Sequence, residues 1–222
     1  MTTSITLVRH GQSTGNALKF YTGQTDAELT ELGRQQAELT ALALAQESFT
    51  ALYSSDLRRA CATAEPLAAR LGLTINTCAR LREINLGDFH GESFAELARK
   101  YPQEYIAIMR RDADFVSPGG ESHRAMRQRV VAAFQEIISQ HSGGDILMVV
   151  HGGVIFHINH HIFGIPPELN HTVTYQIDNC SLNRYQLTEQ ASWQVLTLND
   201  CAHLRILANN VAIASGPLEV HT

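Results

Sequence analysis

The sequence predicts an α/β fold in which helices pack in layers against a sheet. Short apolar segments alternate along the chain with longer segments of helical periodicity, which is the pattern typical of this class. Residues 146–150 form an unbroken apolar run, as in a strand at the middle of a parallel sheet. Residues 122–140 carry apolar side chains at spacings of three and four, which predicts an amphipathic helix.

The remaining elements follow from the same patterns in chain order. The predicted strands comprise residues 4–9, 50–54, 146–150, 173–177, 182–187 and 193–198. The predicted helices comprise residues 30–45, 57–71, 92–101, 103–111, 122–140 and 154–163. Thr30 is suited to cap the first helix and Gly72 to end the second, while Pro102 separates the third helix from the fourth.

The chain is predicted to form one domain. Its 222 residues are enough to bury a complete hydrophobic core. Because no internal repeat, low-complexity segment or linker interrupts the pattern, residues 1–205 are assigned to this domain. Residues 206–222 fit no pattern and are predicted to be a C-terminal tail of uncertain structure.

The composition narrows the classes of function. The chain is 44% hydrophobic and 18% charged, as expected of a globular protein, and its four cysteines are predicted to be reduced thiols. A net charge of −5 without a basic block argues against a nucleic-acid partner, although a few arginines can still form a local anion pocket. No apolar segment approaches the roughly 20 residues of a membrane span, and no signal-like segment is seen. A cytoplasmic location without membrane contact is therefore predicted, and the oligomeric state stays open, with a homodimer as one option.

Residues suited to phosphate chemistry follow three of the predicted strands. His10 follows Arg9 at the end of the first strand, and the second strand leads into Arg58 and Arg59. The apolar strand of residues 146–150 is followed by His151. Because ligands of open α/β sheets collect at the carboxyl ends of the strands, these side chains are expected to meet at one rim.

These residue types fit phosphoryl transfer. Arginine binds phosphate through a planar, permanently charged fork, and neutral imidazole is a competent nucleophile near pH 7. A phosphohistidine would divide one difficult displacement into two easier steps. Taken singly, a His-Gly pair at a strand end indicates a turn, and an arginine pair at a helix start indicates a solvated surface. Only their joint occurrence favours a phosphate site.

The motifs resemble those of the histidine phosphatase superfamily, which includes cofactor-dependent phosphoglycerate mutases and fructose-2,6-bisphosphatase. The first is Leu7-Val8-Arg9-His10-Gly11-Gln12-Ser13, followed by Asn16. Further matches occur in order at Tyr21-Thr22-Gly23, Leu29-Thr30-Glu31-Leu32-Gly33, Ser54-Ser55-Asp56-Leu57 with Arg59, Leu81-Arg82-Glu83, Pro118-Gly119-Gly120-Glu121-Ser122 and Val150-His151-Gly152-Gly153. The resemblance implies a three-layer α/β/α fold with a mostly parallel central sheet, as in phosphoglycerate mutases.

The resemblance also implies the roles of individual residues. His10 would accept the phosphoryl group, and Glu83 would be the general acid and then the general base. A cationic pocket around the phosphoryl group would be formed by Arg9, Arg59 and His151. Further substrate contacts would come from Asn16, Thr22, Gly23 and the N–H of Gly152. No metal and no other cofactor is implied.

Some of these roles have alternatives. Glu83 could simply pair with Arg82, and Arg58 is expected to be a surface residue beside Arg59. Arg110 and Arg111 are interpreted as a solvated helix end, with contact to a second anionic group of the substrate as the alternative.

The resemblance favours a phosphatase over a mutase. Mutases of the family carry a tyrosine three residues after the acid, where this chain has Leu86, and a longer segment that covers the site. A shorter cover would leave the site open to water. The predicted function is hydrolysis of a small phosphorylated metabolite, with a cofactor-dependent phosphoglycerate mutase as the alternative. A signalling module that binds phosphorylated ligands without turnover is an alternative of another class, and the presence of Glu83 argues against it.

A histidine cluster on the predicted helix of residues 154–163 has a separate explanation. His157 and His161 lie four residues apart, as in the zinc motif HExxH, but Ile158 stands where that motif has its glutamate. The cluster, which also includes His160, is therefore predicted to consist of buried or solvated histidines at a helix end. His90 is a weaker candidate for contact with the substrate pocket.

Overall fold

A six-stranded, mostly parallel sheet forms the centre of the protein. The computed structural model describes residues 1–207. The strands are β1 (Thr3–Arg9), β2 (Ala51–Ser54), β3 (Ile75–Thr77), β4 (Asp145–Val150), β5 (Leu182–Leu187) and β6 (Trp193–Asp200). Their order is β3-β2-β4-β1-β5-β6, in which the first four are parallel, β5 is antiparallel to β1, and β6 is antiparallel to β5.

Helices pack on both faces of this sheet. The α-helices include α1 (Thr14–Leu18), α2 (Glu31–Leu44), α3 (Arg58–Leu71), α4 (Phe94–Lys100), α5 (Pro102–Met109), α6 (His123–Gln140) and α7 (Gly152–Ile162). Of these, α2 and α3 cover one face of the sheet and α6 and α7 cover the other. Side chains of β4 alternate between the two faces, as the period of two in a strand requires. Met148 packs in the core cluster that contains residues of α6 and α7, and Val149 packs in the cluster that contains residues of α2 and α3. The expected three-layer α/β/α architecture is confirmed.

The helix ends carry the capping groups that the sequence provides. Thr30 accepts the N–H of Gly33 through its hydroxyl oxygen, and Ser122 caps α6 in the same way through the N–H of Ala125. Gly72 ends α3 in the left-handed conformation, which costs glycine little.

The prediction of a strand at residues 173–177 was wrong. This segment is irregular, and its groups bond to α7 and to the end of β1 instead of to a neighbouring strand. The hydroxyl of Tyr175 donates to the carbonyl of Phe156, and Arg9 donates to the carbonyl of Ile177. Both edges of β1 are already paired, one with β4 and one with β5. Neither α1 nor β3 was predicted from the sequence.

Two further predictions concern the chain ends and membranes. The tail predicted at residues 206–222 lies almost wholly outside the described residues, so the domain boundary at residue 205 stays a prediction. Within residues 1–207, no helix is long and apolar enough to cross a membrane.

The two central parallel strands end side by side at the same level. Arg9 of β1 is the register partner of Val150 of β4, and the N–H of His10 donates to the carbonyl of Val150 at 2.9 Å. The next N–H, that of Gly11, donates to the hydroxyl of Thr63 in α3 at 3.0 Å. These bonds hold the backbone at the end of β1 against β4 and against α3.

A close approach between two glycines holds this loop against α2. A Cβ on Gly33 would lie 2.1 Å from the carbonyl oxygen of Gln12, and a Cβ on Gly11 would lie 2.5 Å from the carbonyl oxygen of Gly33. Because the obstructing atoms are backbone atoms, neither methyl group can be accommodated by rotation of a side chain. The loop that carries His10 therefore depends on Gly33.

We expect Gly33→Ala to lower the free energy of unfolding by roughly 1–3 kcal/mol, because the added methyl overpacks a backbone contact. Urea unfolding followed by circular dichroism measures this effect. The matched control is Arg34→Ala, at the exposed position that follows Gly33 in the same helix. Since alanine normally stabilises a helix relative to glycine, a gain of stability in the Gly33 variant would contradict the proposed contact.

Candidate active site

A pocket of about 320 Å³ opens at the carboxyl edge of the parallel strands. Seven of the site residues predicted from the sequence line this pocket: Arg9, His10, Asn16, Thr22, Gly23, Arg59 and Glu83. His151 is fully buried, with its ring centroid 5.1 Å from that of His10. Gly152 adjoins Arg9, since a Cβ on it would lie 3.6 Å from Arg9 Nε. The sequence-predicted residues thus come together in one region of the molecule.

The hydrogen bonds of His10 define which of its nitrogens is free to react. Nδ1 lies 2.7 Å from the carbonyl oxygen of Gly11. Because a carbonyl oxygen can only accept, Nδ1 carries the proton of the neutral ring. Nε2 then bears the lone pair, and it accepts the Nε–H of Arg59 at 3.2 Å. The imidazole is held in the tautomer that a nucleophilic Nε2 requires.

The surroundings of His10 keep its ring neutral. Burial lowers the pKa of His10 well below its ordinary value of 6.5, and the guanidinium groups of Arg59 and Arg9 lower it further. At neutral pH Nε2 is therefore unprotonated and keeps its lone pair. The same two cations that lower this pKa would stabilise the charge of a phosphoryl group.

Arg59 is held by backbone carbonyls while one of its donors contacts His10. Nη1 donates to the carbonyl of Thr25 at 2.8 Å, and Nη2 donates to the carbonyl of Gly23 at 2.6 Å. Burial lowers the pKa of Arg59 to about 10, so the group stays charged at neutral pH. Arg58, by contrast, lies on the surface and pairs with Glu28.

Arg9 and His151 complete the region around His10. Nη1 of Arg9 donates to the carbonyl of Ile177, and Nε2 of His151 lies 2.8 Å from the hydroxyl of Ser55. Burial, followed by the charge of Arg59, lowers the pKa of His151 well below its ordinary value. The positive charge of the pocket therefore comes from the arginines, and the role of His151 in binding the phosphoryl group stays a prediction. Within residues 1–207, Arg9 Nε and His151 Nδ1 are buried without a hydrogen-bond partner.

Two backbone N–H groups orient the carboxylate of Glu83. Oε1 accepts the N–H of Ile84 and Oε2 accepts the N–H of Gly153, both at 2.9 Å. Gly153 lies in the first turn of α7, where N–H groups are free to bind an anion. A Cβ at this position would lie 2.2 Å from Oε1, so the second glycine after His151 is needed for the contact. Glu83 does not pair with Arg82, which forms a bidentate ion pair with Asp56.

Sequence reasoning missed the residues that hold the segment of Glu83 in place. Arg129 of α6 donates to the carbonyls of Arg80, Arg82 and Glu83 at 3.0, 2.7 and 2.9 Å. Its guanidinium also pairs with Glu121. One side chain thus holds three carbonyls of the segment that leads to Glu83. No local pattern marks Arg129, because these carbonyls lie more than 40 residues away.

Asn16 has the orientation of a hydrogen-bond donor. Its Oδ1 accepts the N–H and the hydroxyl of Ser13 and also the side-chain amide of Asn179, at 3.1, 3.0 and 3.2 Å. With Oδ1 fully used, the amide N–H groups of Asn16 are the atoms available to a ligand in the pocket that it lines. Asn179 also donates to the carbonyl of His10 at 2.9 Å and was not singled out from the sequence.

Arg111 lies in the pocket and not at a solvated helix end. The backbone turns at Arg111 with a φ of 50°, and the carbonyl of Arg111 accepts the side-chain amide of Asn170 at 3.0 Å. The guanidinium carbon lies 4.3 Å from the ring centroid of Phe156. Burial lowers the pKa of Arg111. The interpretation as a solvated end holds only for Arg110, which is exposed.

The other histidines singled out from the sequence have separate partners. His157 and His160 are fully buried, the first bonded to His123 at 3.0 Å and the second to the carbonyl of Val173 at 3.2 Å. His161 is half-buried. Throughout residues 1–207, no three His, Cys, Asp or Glu side chains are grouped as ligands for a metal ion. His90 is bonded through Nε2 to the backbone of the loops around the pocket.

Comparison with known proteins identifies the family. The sequence pattern of the histidine phosphatase superfamily (branch 1) matches residues 5–201. The chain belongs to this superfamily.

Two curated relatives and one solved structure illustrate its members. Phosphoglycerate mutase-like protein 4 of Arabidopsis thaliana is 36% identical over 203 residues, which cover 90% of this chain and 86% of the relative. Glucosyl-3-phosphoglycerate phosphatase of Mycolicibacterium vanbaalenii is 36% identical over 73% of this chain and 75% of the relative. The solved mycobacterial glucosyl-3-phosphoglycerate phosphatase superposes with a TM-score of 0.80 at 29% identity, over 90% of this chain and 99% of that one.

We expect the protein to lose stability as the pH falls below 6.5, the ordinary pKa of histidine. Burial lowers the pKa of His10, His123, His151 and His157, so these rings stay neutral in the folded protein while they take up protons in the unfolded chain. Each such ring lowers the free energy of unfolding by roughly 1.4 kcal/mol per pH unit below that value. Urea unfolding at pH 7.5 and 5.5 measures the loss.

The contribution of a single ring can be isolated in variants. His157→Gln should reduce this pH dependence by the share of one histidine, because the unfolded variant takes up one proton fewer. The matched control is His171→Gln, which removes an exposed ring and should leave the slope unchanged. Equal slopes for all three proteins would show that buried neutral histidines are not its cause.

Proposed function

We propose that the protein is a phosphatase that hydrolyses a small phosphorylated metabolite through a phosphohistidine on His10. The observation that carries this proposal is the tautomer of His10. Its Nδ1–H bonds to a backbone carbonyl, which leaves the lone pair on Nε2, and Nε2 accepts the Nε–H of Arg59 in a pocket that Arg9 and Arg59 also line. A phosphohistidine mechanism is general to the superfamily, and phosphatases occur among the relatives.

In the first step Nε2 of His10 attacks phosphorus while the bond to the leaving oxygen breaks. Glu83 delivers its proton to that oxygen, and Arg9 and Arg59 stabilise the charge on the phosphoryl oxygens. The imidazolium character that develops in the ring is stabilised by the bond from Nδ1–H to the carbonyl of Gly11. The unpartnered Nε–H of Arg9 fits a site that a bound anion completes.

In the second step a water molecule attacks the phosphohistidine. The carboxylate of Glu83 takes the proton of this water, the bond between phosphorus and Nε2 breaks, and inorganic phosphate leaves. The contacts with Ile84 and Gly153 keep the carboxylate in one orientation for both steps. A module that only bound phosphorylated ligands would have no use for such an oriented acid.

The part of the pocket wall away from His10 suits a small leaving group that carries an anionic group of its own. Phe20, Tyr21 and Phe94 supply aromatic surface, and Arg111 supplies a cation at a position distinct from Arg59. A residue placed in this way would strengthen binding of substrates such as phosphoglycerates. We propose this role for Arg111 and propose Asn16, Thr22, Gly23 and the N–H of Gly152 as further contacts of the substrate.

Two features favour hydrolysis over a mutase reaction. The position three residues after the acid holds the buried aliphatic Leu86, which offers no hydroxyl to a bound substrate. The cover formed by α4 and α5 ends at Met109, and the pocket that it borders opens to solvent. Water can therefore reach a phosphohistidine as the acceptor. A mutase remains the second candidate because one relative is named phosphoglycerate mutase-like.

We expect His10→Ala to abolish the phosphoenzyme and to lower kcat by at least about 1,000-fold, because the group that forms the covalent bond is removed. Rapid acid-free quenching with a ³²P-labelled phosphomonoester should trap an acid-labile phosphoenzyme in the wild type. The matched control is His171→Ala, since His171 is exposed and outside the pocket. Near-normal turnover by His10→Ala would overturn the mechanism.

The same experiment distinguishes hydrolysis from a mutase reaction. In H₂¹⁸O, a phosphatase should incorporate ¹⁸O into the phosphate that it releases. Isomerisation of a phosphoglycerate that depends on added bisphosphoglycerate, with little release of phosphate, would establish the second candidate instead.

We expect Glu83→Gln to lower kcat for alkyl phosphates by roughly 100-fold or more, because an amide cannot protonate a poor leaving group. Phosphorylation by p-nitrophenyl phosphate should be affected much less, since its leaving group needs no proton. Hydrolysis of the resulting phosphoenzyme also needs the base, so a burst of nitrophenolate followed by a slow phase is expected. Stopped-flow absorbance measures both phases for p-nitrophenyl phosphate, and equal losses in the rate of phosphorylation by the two kinds of substrate would contradict an acid role.

A further inference from the structure

Two buried histidines beside the pocket have no part in phosphoryl transfer. His123 is the first residue of α6, is nine-tenths buried and is one of the residues that line the pocket. His157 of α7 is fully buried behind a hydrogen bond of 3.0 Å between its Nε2 and the Nδ1 of His123. Burial of two imidazoles carries a desolvation cost that apolar side chains would avoid. A hydrogen bond to substrate would require their polar atoms and would account for this cost.

The bonding of His157 determines where His123 carries its proton. Nδ1 of His157 is buried and has no partner among the described residues. A buried N–H without an acceptor is rarer in proteins than an acceptor without a donor, so the proton of neutral His157 belongs on Nε2. His157 therefore donates to Nδ1 of His123. Neutral His123 must then hold its own proton on Nε2.

The surroundings of His123 keep it neutral and favour an acceptor opposite Nε2. Burial lowers the pKa of His123 to about 3, and the charge of Arg111 contributes to this shift. In the part of the chain that the structure describes, Nε2 of His123 is bonded to no residue, although the side chain is nine-tenths buried. The helix of 18 residues that begins at His123 adds a positive dipole end.

We propose that His123 presents Nε2–H to an anionic group on the leaving-group side of the substrate, and that His157 is the positioning residue that fixes this tautomer. This inference rests on the proposed phosphatase function and adds to it a determinant of specificity. A carboxylate or a second phosphate supplies the acceptor that a neutral N–H donor beside Arg111 would bind. Arg111 attracts any anionic group through its charge. The neutral N–H of His123 favours only an acceptor atom that lies at hydrogen-bond distance, so it selects the position of that group.

Three substrates that differ only in the terminal group test the proposal. They are propyl phosphate, the phosphate ester of 3-hydroxypropanoate, and 1,3-propanediol bisphosphate. The first has no second anion, the second has a carboxylate, and the third has a second phosphate. The quantity to compare is kcat/KM for each substrate in the wild type, His123→Leu and His123→Gln.

We expect His123→Leu to lower kcat/KM by about tenfold on the anionic substrates and by less than about twofold on propyl phosphate. His123→Gln should recover part of the loss, because its amide N–H can replace Nε2–H. A response to only one anionic substrate would identify that anion as the ligand, and a response to both would indicate any anionic acceptor. Equal losses on all three substrates, or no loss on the anionic ones, would overturn the proposal.

The role of His157 is tested by the split between kcat and KM. His157→Leu leaves Nδ1 of His123 without its donor, so KM for the anionic substrates should rise several-fold while kcat on propyl phosphate stays unchanged. His157→Gln keeps an N–H donor at this position and should restore the lower KM. Variants that changed only thermal stability would indicate a purely structural role and would contradict the positioning role.

Failure of the proposed function and failure of this inference give different results. If the wild type neither hydrolyses the three esters nor forms a phosphoenzyme, the phosphatase proposal fails. Calorimetric titration with propylphosphonate and with its analogue bearing a terminal carboxylate then tests the subsite alone. A tenfold weaker binding of the carboxylated analogue to His123→Leu, with propylphosphonate unchanged, would support the subsite, and equal binding to both proteins would refute it.

Discussion

The parallel pairing of β1 with β4 is the constraint on which the site depends. Because Arg9 is the partner of Val150, the two strands end at the same level and the histidine that follows each one enters the same rim. A slip of one residue would turn every side chain of β1 to the opposite face and expose its apolar residues. The register that buries the core is thus the register that brings His10 within 5.1 Å of His151.

The electrostatics of the site follow from the burial that this arrangement imposes. Desolvation favours the uncharged forms of both strand-end histidines, whereas an arginine cannot lose its proton near neutral pH. Positive charge and nucleophilic lone pair therefore reside on different side chains. Two backbone carbonyls accept the Nη donors of the charged Arg59, which leaves Nε to contact His10. The backbone around the pocket supplies the fixed dipoles that preorganise it.

The site residues that could be predicted from the sequence pattern are those that follow the predicted strands. His10, Arg59 and His151 each follow an apolar run within a few residues, so a coarse assignment of strands was enough to bring them together. Glu83 follows no predicted strand, and only the resemblance to a known family indicated it. Its position depends on Arg129, which bonds to carbonyls that are distant in sequence. Such contacts produce no periodic pattern in the sequence.

Errors arose where tertiary contacts override local pattern. Residues 173–177 have the alternation of a strand, yet the edge of β1 is occupied by β5 and the segment bonds to side chains instead. Arg111 follows the end of a helix, a position that is usually solvated. Its own backbone is in the left-handed conformation, and its guanidinium lies over the ring of Phe156. Neither outcome is encoded within a window of neighbouring residues. Both depend on which surfaces the folded sheet leaves available.

The two sides of the pocket are built in physically different ways, and this difference has a consequence for specificity. The transfer side is fixed by the central strands, whose side chains belong to the two large cores. The leaving-group side is bordered by α4 and α5, which share a small separate cluster that includes Leu97 and Ile108. Changes in such a cluster alter few contacts of the main core, so substitutions there can reshape the pocket at little cost in stability. Under the proposed function, this construction would allow one transfer chemistry to serve different substrates, and the residues proposed to choose among them, Arg111 and His123, lie at the end of α5 and at the start of α6.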